Sequence, residues 1–224
     1  MSTNNDRAVI RLTHNHVQLA LHKLRDSDGP SLLILHGLGE SSPQSVPPEL
    51  GAWPGAVWAL DFTGHGESTI PRGGGYSCEI LLADVDIALR HIGHTTLVGY
   101  GIGAYVALLA AGARPQLVRG VVLCDGPGLA GGPTHYASNI EITSHQPRAG
   151  SAPDPWALIE LGRDARPANY ASTFVRLAVT GSSLSEPITV CCKVRPPWLE
   201  AIVDEPSVET GLTLAEALES YARA

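Results

Sequence analysis

The segment LVGYGIGA, residues 97–104, joins an apolar run to a stretch of small residues. This pattern predicts a buried strand that turns directly into a helix. One chemistry that uses such a turn has a serine at the centre of G-x-S-x-G, where the strained backbone projects the nucleophilic oxygen. The central residue here is Gly101, which has no side chain. The turn therefore supplies no nucleophile.

A second chemistry fits the same turn. Gly99, Gly101 and Ala104 match the pattern G-x-G-x-x-G/A, which lets a pyrophosphate approach the start of a helix. Asp125 follows the next apolar run, about where such sites hold a ribose-binding acid. A dinucleotide-binding protein is thus one hypothesis, with NAD or NADP as its ligand. Apart from that hypothesis we expect no cofactor and no metal.

The elements around the turn alternate between strands and helices. RAVIRLTHNHVQLALHKLR, residues 7–25, alternates and breaks at Asn15 as a hairpin does. The predicted buried strands span 31–37, 56–64, 95–99, 118–126 and 187–194. The predicted helices span 78–93, 104–115 and 212–223. Alternation of this kind predicts an α/β fold with a mainly parallel central sheet and helices on both faces.

The regular pattern loosens after the strand at 118–126. Residues 126–155 are rich in Gly, Pro and Ser, and helical patches follow at WALIELGRD and NYASTFVRLAVT. We expect residues 126–185 to form a short excursion or reduced cap after the sixth strand. The stretch is too short for a domain linker, so we predict one domain over residues 1–224.

Three segments, in this order, resemble the α/β-hydrolase family. LLILHGLGESS resembles its strand and His-Gly loop, whose backbone helps to form an oxyanion hole. ALDFTGHGES resembles its next strand and Asp-x-x-Gly-His-Gly-x-Ser turn, and TLVGYGIGAYVALLAA resembles its nucleophile elbow. Together they cover about the first 125 residues. The resemblance implies the α/β-hydrolase fold.

The resemblance also implies where the partners of a catalytic serine should stand. The acid should follow the fifth buried strand, where the chain has Arg195 and Pro196. The histidine should precede the last helix, where the chain has Gly211 and Leu212, and the last histidine is His145. Because triad members act as a unit, we predict a pseudoenzyme with a degenerate triad, related to hydrolases by fold and inactive as a serine hydrolase.

Another hypothesis places an acid/base site elsewhere. Asp125 stands at a known alternative location for the family's acid, and His135 and His145 follow it in the loop region. A histidine held by a carboxylate titrates near neutrality and could serve as a general acid or base. Such a pair would act on a bound substrate without forming an acyl enzyme.

The resemblance implies a binding pocket that can survive loss of the triad. The N–H groups of Leu38 and Ile102 should line the oxyanion hole, and they need only backbone. We expect Tyr100, Glu40 and His36 beside them. The principal prediction is therefore a protein that binds a small molecule or a protein partner without hydrolysing it.

The resemblance implies structural roles for several other polar residues of these motifs. We expect His36 and His65 to position loops by hydrogen bonds, and Ser68 to make a structural hydrogen bond in the GHGES turn. Asp61 should brace the turn DFTGHG, since short carboxylates accept hydrogen bonds from nearby backbone N–H groups.

Composition excludes some partners. The net charge is −7 and no basic cluster occurs, so nucleic acid is not expected. No run approaches the roughly 18 apolar residues that span a bilayer, and the polar N-terminus does not resemble a signal peptide. None of the cysteines forms CxxC, which favours reduced thiols and a cytoplasmic protein. The cysteines are Cys78, Cys124, Cys191 and Cys192. A homo-oligomer is left open.

Overall fold

The computed structural model describes residues 8–14, 16–132 and 152–223. An eight-stranded sheet lies at its centre, in the order β1-β2-β4-β3-β5-β6-β7-β8. β2 pairs antiparallel with β1 and β4, and all other neighbours pair parallel. The strands are β1 Ala8–His14, β2 Val17–Arg25, β3 Ser31–Leu35, β4 Val57–Asp61, β5 Thr95–Tyr100, β6 Val118–Cys124, β7 Ile188–Val190 and β8 Val208–Thr210.

Helices cover both faces of this sheet. They are α1 Cys78–Ile92, α2 Ile102–Ala113, α3 Pro155–Arg163, α4 Ala168–Gly181, α5 Pro197–Val203 and α6 Leu214–Arg223. Buried side chains of α1 to α5 share one apolar cluster with the sheet, whereas α6 and a short 3₁₀ helix at Pro48–Leu50 share the other. Within the described ranges, no helix is long and apolar enough to cross a membrane.

The predicted α/β-hydrolase fold is confirmed, and its hairpin, buried strands and principal helices occur where the sequence places them. In β1 and β2 the register pairs His14 with Val17, while Asn15 lies outside the described residues. Of the predicted excursion, α3 and α4 are described, and residues 133–151 lie outside the description.

Several predicted boundaries were wrong by about one to four residues, and one strand was missed. The strand predicted at 187–194 has only three residues, because the chain turns away where Asp125 accepts the N–H groups of Lys193 and Val194. The helix predicted from residue 104 begins at Ile102. β8 was not predicted, since three residues with one buried side chain carry no readable periodicity.

Helix α2 carries the turn into the core. Its first eleven residues are buried, because small side chains let it pack closely against the sheet and against α4. A Cβ at Gly112 would lie 2.6 Å from the Phe174 carbonyl oxygen. At the other end of the helix, a Cβ at Gly103 would overlap the Leu35 carbonyl oxygen, so close packing also places the first turn of α2 at the carboxyl edge of β3.

Candidate functional site

The turn at residues 99–103 has the sharp geometry that the sequence predicts. β5 ends at Tyr100 and α2 begins at Ile102, so a single residue reverses the chain. That residue, Gly101, has φ +57° and ψ −118°, a conformation that L side chains rarely adopt. With no side chain at this residue, the turn presents only backbone to the carboxyl edge of the sheet.

Two backbone donors converge beside the turn. The N–H groups of Leu38 and Ile102 both donate to the carbonyl oxygen of Pro127, each at 3.0 Å. These are the donors that the resemblance implies for an oxyanion hole, but their acceptor belongs to the chain itself. We call residues 126–132, which follow β6 and include this acceptor, the covering segment. An external carbonyl could use the two donors only by taking the place of Pro127.

Missing side chains make room for the covering segment. A Cβ at Gly101 would fall on the Pro127 carbonyl oxygen, well inside van der Waals contact. A Cβ at Gly37 would lie 2.7 Å from Pro127 Cδ, and one at Gly128 would lie 2.6 Å from Leu38 Cβ. Because glycines stand on both sides of this contact, the segment packs directly on the turn. Gly101 thus also provides space for another part of the backbone.

Groups from the link between α3 and α4 and from α5 hold the covering segment. Arg166 Nη1 donates to the Gly128 carbonyl, and Trp198 Nε1 donates to the Leu129 carbonyl at 2.8 Å. The last amide of the segment donates to the Asp164 carbonyl at 2.7 Å. Neither Arg166 nor Trp198 belongs to a motif, so nothing in the sequence predicted these contacts.

Asp125 lies at the end of β6 and organises the loop after β7. Its two carboxylate oxygens accept the N–H groups of Lys193 and Val194, at 2.8 and 3.0 Å. His135 and His145 lie outside the described residues. The acid/base hypothesis therefore stays a prediction. Its acid, Asp125, already accepts hydrogen bonds from two backbone amides.

The resemblance implies an acid after β7 and a histidine after β8, and both of these segments are described. After β7 the chain passes through Arg195 and Pro196 into α5. After β8 it passes through Gly211, with φ +87°, and Leu212 towards α6. None of these four residues can hold or transfer a proton as a carboxylate or an imidazole does.

His36 is fully engaged within the fold. Its Nδ1 donates to the Gly37 carbonyl at 2.7 Å, and its Nε2 accepts the N–H of Phe62 at 3.1 Å. Burial, and then the neighbouring His65, lower the pKa of His36 from 6.5 to about 4. The neutral ring therefore bridges β3 and β4. Neither nitrogen is left for a ligand in this arrangement.

Asp61 is the centre of a buried polar network under the same loops. It accepts hydrogen bonds from His22 Nε2 at 2.9 Å, from the Ser42 N–H at 2.7 Å and from the Glu67 N–H at 2.8 Å. Burial raises the pKa of Asp61, but the hydrogen bonds from His22, Glu67 and Ser42 outweigh it and hold that pKa well below its usual value. The role of His22 was missed, although a histidine within an apolar strand was a usable signal.

The other residues expected around one pocket do not all lie together. Tyr100 packs against the apolar cluster on the α6 face, whereas Leu38 and Ile102 belong to the opposite cluster. Among the described residues the Tyr100 hydroxyl is buried without a hydrogen-bond partner. Glu40 is exposed and accepts the Gly37 N–H at 3.0 Å, which closes the loop after β3. The side chain of Tyr100 thus points to the other face of the sheet from Leu38 and Ile102, and a shared binding role for these residues stays a prediction.

The dinucleotide pattern has a structural explanation in this fold. A Cβ at Gly99 would overlap the Gly103 carbonyl, so this glycine permits close packing of strand and helix. The start of α2, where a pyrophosphate would bind, is covered by the carbonyl of Pro127. Asp125, the expected ribose ligand, is engaged with backbone amides. The geometry therefore gives this hypothesis no support.

The described residues contain no group of three or more His, Cys, Asp or Glu side chains that could hold a metal ion. All four cysteines are free of disulfides. Burial raises the pKa of each thiol, that of Cys192 to about 12. None of them is therefore a thiolate at neutral pH, and none has the lowered pKa of an activated nucleophile.

Comparison with known proteins adds family information. A model of the alpha/beta hydrolase family matches residues 32–222. A 2-(acetamidomethylene)succinate hydrolase from Mesorhizobium japonicum is 32% identical over 111 residues, which cover 48% of this chain and 40% of that protein. An uncharacterized protein from Mycobacterium tuberculosis is 34% identical over 106 residues, covering 45% and 30%. The chain thus spans less than half the length of these curated relatives.

Two solved structures are similar over almost the whole chain. The thioesterase domain from the curacin biosynthetic pathway has a TM-score of 0.62 and 19% identity, covering 98% of this chain and 99% of that domain. A hypothetical protein from Pseudomonas aeruginosa PAO1 has a TM-score of 0.60 and 18% identity, covering 96% of both chains. At these identities the similarity shows a shared fold alone.

Proposed function

This chain belongs to the α/β hydrolase family, and from that premise we propose that it acts by binding a ligand or a protein partner and not by serine hydrolysis. Acyl transfer on this fold needs an attacking atom at the elbow and donors that receive the developing oxyanion. The elbow residue is Gly101, which has no attacking atom.

One observation carries the proposal: the carbonyl of Pro127 stands where the side chain of a nucleophile would begin. The same carbonyl also accepts the N–H groups of Leu38 and Ile102. In a productive complex the side chain of the nucleophile would need the first place, and the carbonyl oxygen of the substrate would need the second. The covering segment thus blocks the nucleophile position and the oxyanion position together.

The positions of the remaining triad members support the same proposal. Arg195 and Pro196 follow β7, and Gly211 and Leu212 follow β8. Because the three triad members act as a unit, even a restored serine would lack a base to remove its proton. A degenerate triad is thus the simplest chemical description of this edge of the sheet.

Hydrolysis is the competing hypothesis. Two relatives carry the names of hydrolytic proteins, a 2-(acetamidomethylene)succinate hydrolase and a thioesterase domain. A hydrolytic role for this chain would need another nucleophile or an acid/base site built from Asp125 with His135 or His145. The described contacts of Asp125 are with backbone amides, which favours its structural use.

Labelling with a fluorophosphonate probe and turnover of p-nitrophenyl acetate and butyrate test the proposal. We expect no probe incorporation and no burst, because the chain has no activated serine at the elbow. Ser68→Ala is the control for the serine of the GHGES turn, and it should give the same result as wild type. Ser68 Oγ donates to the Asp61 carbonyl at 2.6 Å and accepts the Ala20 N–H at 2.9 Å, which is a structural role. Stoichiometric labelling at any serine would overturn the proposal.

A further inference from the structure

Arg166 is a buried cation whose hydrogen bonds go to neutral groups. Its side chain is in a residue only 8% exposed, and its guanidinium lies 5.4 Å from the centre of the Tyr105 ring. Nη1 donates to the Gly128 carbonyl, Nη2 to the Leu161 carbonyl at 3.4 Å, and Nε has no partner. Among the ion pairs of the described residues, none includes Arg166.

A buried guanidinium with no carboxylate hydrogen-bonded to it is unfavourable, since carbonyl dipoles replace only part of its hydration. The nearby acid, Asp164, directs a carboxylate oxygen to the Cys78 N–H at 2.7 Å. Nη1 and Nη2 of Arg166 each donate to a carbonyl, whereas the N–H of Nε donates to no acceptor. A ligand carboxylate in direct contact would supply a full opposite charge and could accept two hydrogen bonds from the guanidinium.

The covering segment links Arg166 to the donors at the turn. The Pro127 carbonyl accepts the N–H groups of Leu38 and Ile102, and the carbonyl of the next residue, Gly128, accepts from Arg166. Two consecutive peptide oxygens therefore engage both sets of donors. Gly128 has φ +77°, a conformation favourable for glycine, so the segment can rearrange there without side-chain strain.

We propose that Leu38, Ile102 and Arg166 form a binding site for a compact carboxylate, and that the covering segment occupies this site until the ligand displaces it. The inference rests on the proposed non-hydrolytic function. The ligand would bind where a hydrolase holds the carbonyl of its substrate, and no nucleophile would attack it. In the absence of ligand, the carbonyl oxygens of Pro127 and Gly128 accept the hydrogen bonds that the oxygens of the ligand would accept.

Charge decides which ligand can compete. A neutral carbonyl would only replace one carbonyl acceptor with another, and the covering segment has the advantage of high effective concentration. A carboxylate adds pairing with Arg166 and a favourable interaction with the positive end of the α2 dipole at Ile102. The site should therefore select an anion over a neutral molecule of the same shape.

The test is a titration of the ¹⁵N-labelled full chain with butyrate, and with butyramide as its neutral counterpart, at constant ionic strength. We expect saturable shifts of the Leu38 and Ile102 amide resonances with butyrate only. Arg166→Gln should weaken this binding about tenfold or more, because the charge is lost. Arg163→Gln, at an exposed arginine of α3, should leave it unchanged.

Several outcomes would overturn the inference. One is the absence of saturable shifts at up to about 100 mM butyrate, which would fill even a site of millimolar Kd. Others are equal binding of butyramide, or unchanged butyrate affinity in Arg166→Gln. If Arg166→Gln does not fold, Arg166→Lys keeps the charge but loses the planar fork, and its affinity should fall between wild type and no binding.

This experiment can fail separately from the proposed function. Probe labelling reports a nucleophile, whereas the titration reports anion binding. An unlabelled chain that does not bind butyrate would keep the non-hydrolytic proposal and remove the carboxylate site. A labelled chain would remove the non-hydrolytic proposal whatever it binds.

Discussion

At the scale of single residues, two constraints coincide at Gly101. Its φ of +57° is one that L side chains rarely adopt, and the place of a Cβ is taken by the Pro127 carbonyl. The first constraint is shared with the strained elbow of active hydrolases, which tolerate a serine there. The second depends on the path of the covering segment and belongs to this chain.

Gly101→Ser should therefore restore no esterase activity and should destabilise the protein. We expect its free energy of unfolding to fall by roughly 2–4 kcal/mol, from backbone strain and from overlap with Pro127. Gly211→Ser is the matched control, because Gly211 also has positive φ but no neighbour within 4 Å of a Cβ. That control should lose only about 1 kcal/mol. Wild-type stability together with substantial esterase turnover in Gly101→Ser would contradict both expectations.

Asp84 on α1 is another residue whose environment sets a measurable property. It accepts hydrogen bonds from Thr63 N–H at 2.8 Å and from Thr63 Oγ1 at 2.9 Å. Burial raises its pKa from 3.8 to about 7, although the bonds from Thr63 oppose the rise. The folded chain therefore holds this proton more tightly than the unfolded chain. Stability from Asp84 is fully present below pH 3.8 and is lost as pH rises through about 7.

Asp84→Asn should remove this pH dependence while keeping both contacts with Thr63, since an amide can accept from N–H and donate to a hydroxyl. As pH rises from 5 to 8, the free energy of unfolding of the variant should increase relative to that of wild type, by on the order of a few kcal/mol. Denaturant unfolding across this range measures the difference. Asp28→Asn, at an exposed loop, should give a flat difference. A flat difference for Asp84→Asn as well would show that the buried carboxyl titrates normally.

At the scale of elements, the β5–α2 turn and the covering segment form one packed unit. Hydrogen bonds from Leu38 and Ile102 hold its inner side, and the bond from Trp198 on α5 holds its outer side. Trp198 also packs against Tyr105 of α2, with ring centres 5.0 Å apart. The indole therefore ties the segment to the helix that begins at the turn.

Trp198→Phe should loosen this unit, because it removes the donor to the Leu129 carbonyl but keeps an aromatic ring. We expect a loss of about 2–3 kcal/mol in unfolding free energy. Hydrogen exchange at the Leu38 and Ile102 amides should become faster. Trp156→Phe is the control, since Trp156 is 58% exposed, and it should change stability by about 0.5 kcal/mol or less. Unchanged exchange in Trp198→Phe would mean that other contacts hold the segment.

At the scale of the whole molecule, the sheet order explains the structural role of Gly99 and Gly101. In the order β1-β2-β4-β3-β5-β6-β7-β8, β5 lies between β3 and β6. The loop after β3 and the segment after β6 therefore flank the turn and meet over it. In this topology the glycines serve close packing between backbones, and the start of α2 is covered.

NAD and NADP should accordingly fail to stabilise the chain. A ligand that binds only the folded state raises Tm by mass action, so thermal unfolding at millimolar cofactor is a direct measurement. We expect no increase in Tm with either dinucleotide. A concentration-dependent increase would revive the dinucleotide hypothesis, and it would require the covering segment to leave the start of α2.

The amino-acid sequence by itself determined the buried strands, the sharp turn at Gly101 and the family, because periodicity and short motifs report local burial and local backbone geometry. It also determined that the elbow has no nucleophile. Only the tertiary structure decided what fills the turn. The acceptor there is a backbone carbonyl, which every residue possesses, so Pro127 has no distinguishing chemical signature. Parallel pairing of β5 and β6 brings it to Gly101. Contacts with Leu161 of α3 and Tyr105 of α2 hold the buried Arg166 beside the next residue, Gly128.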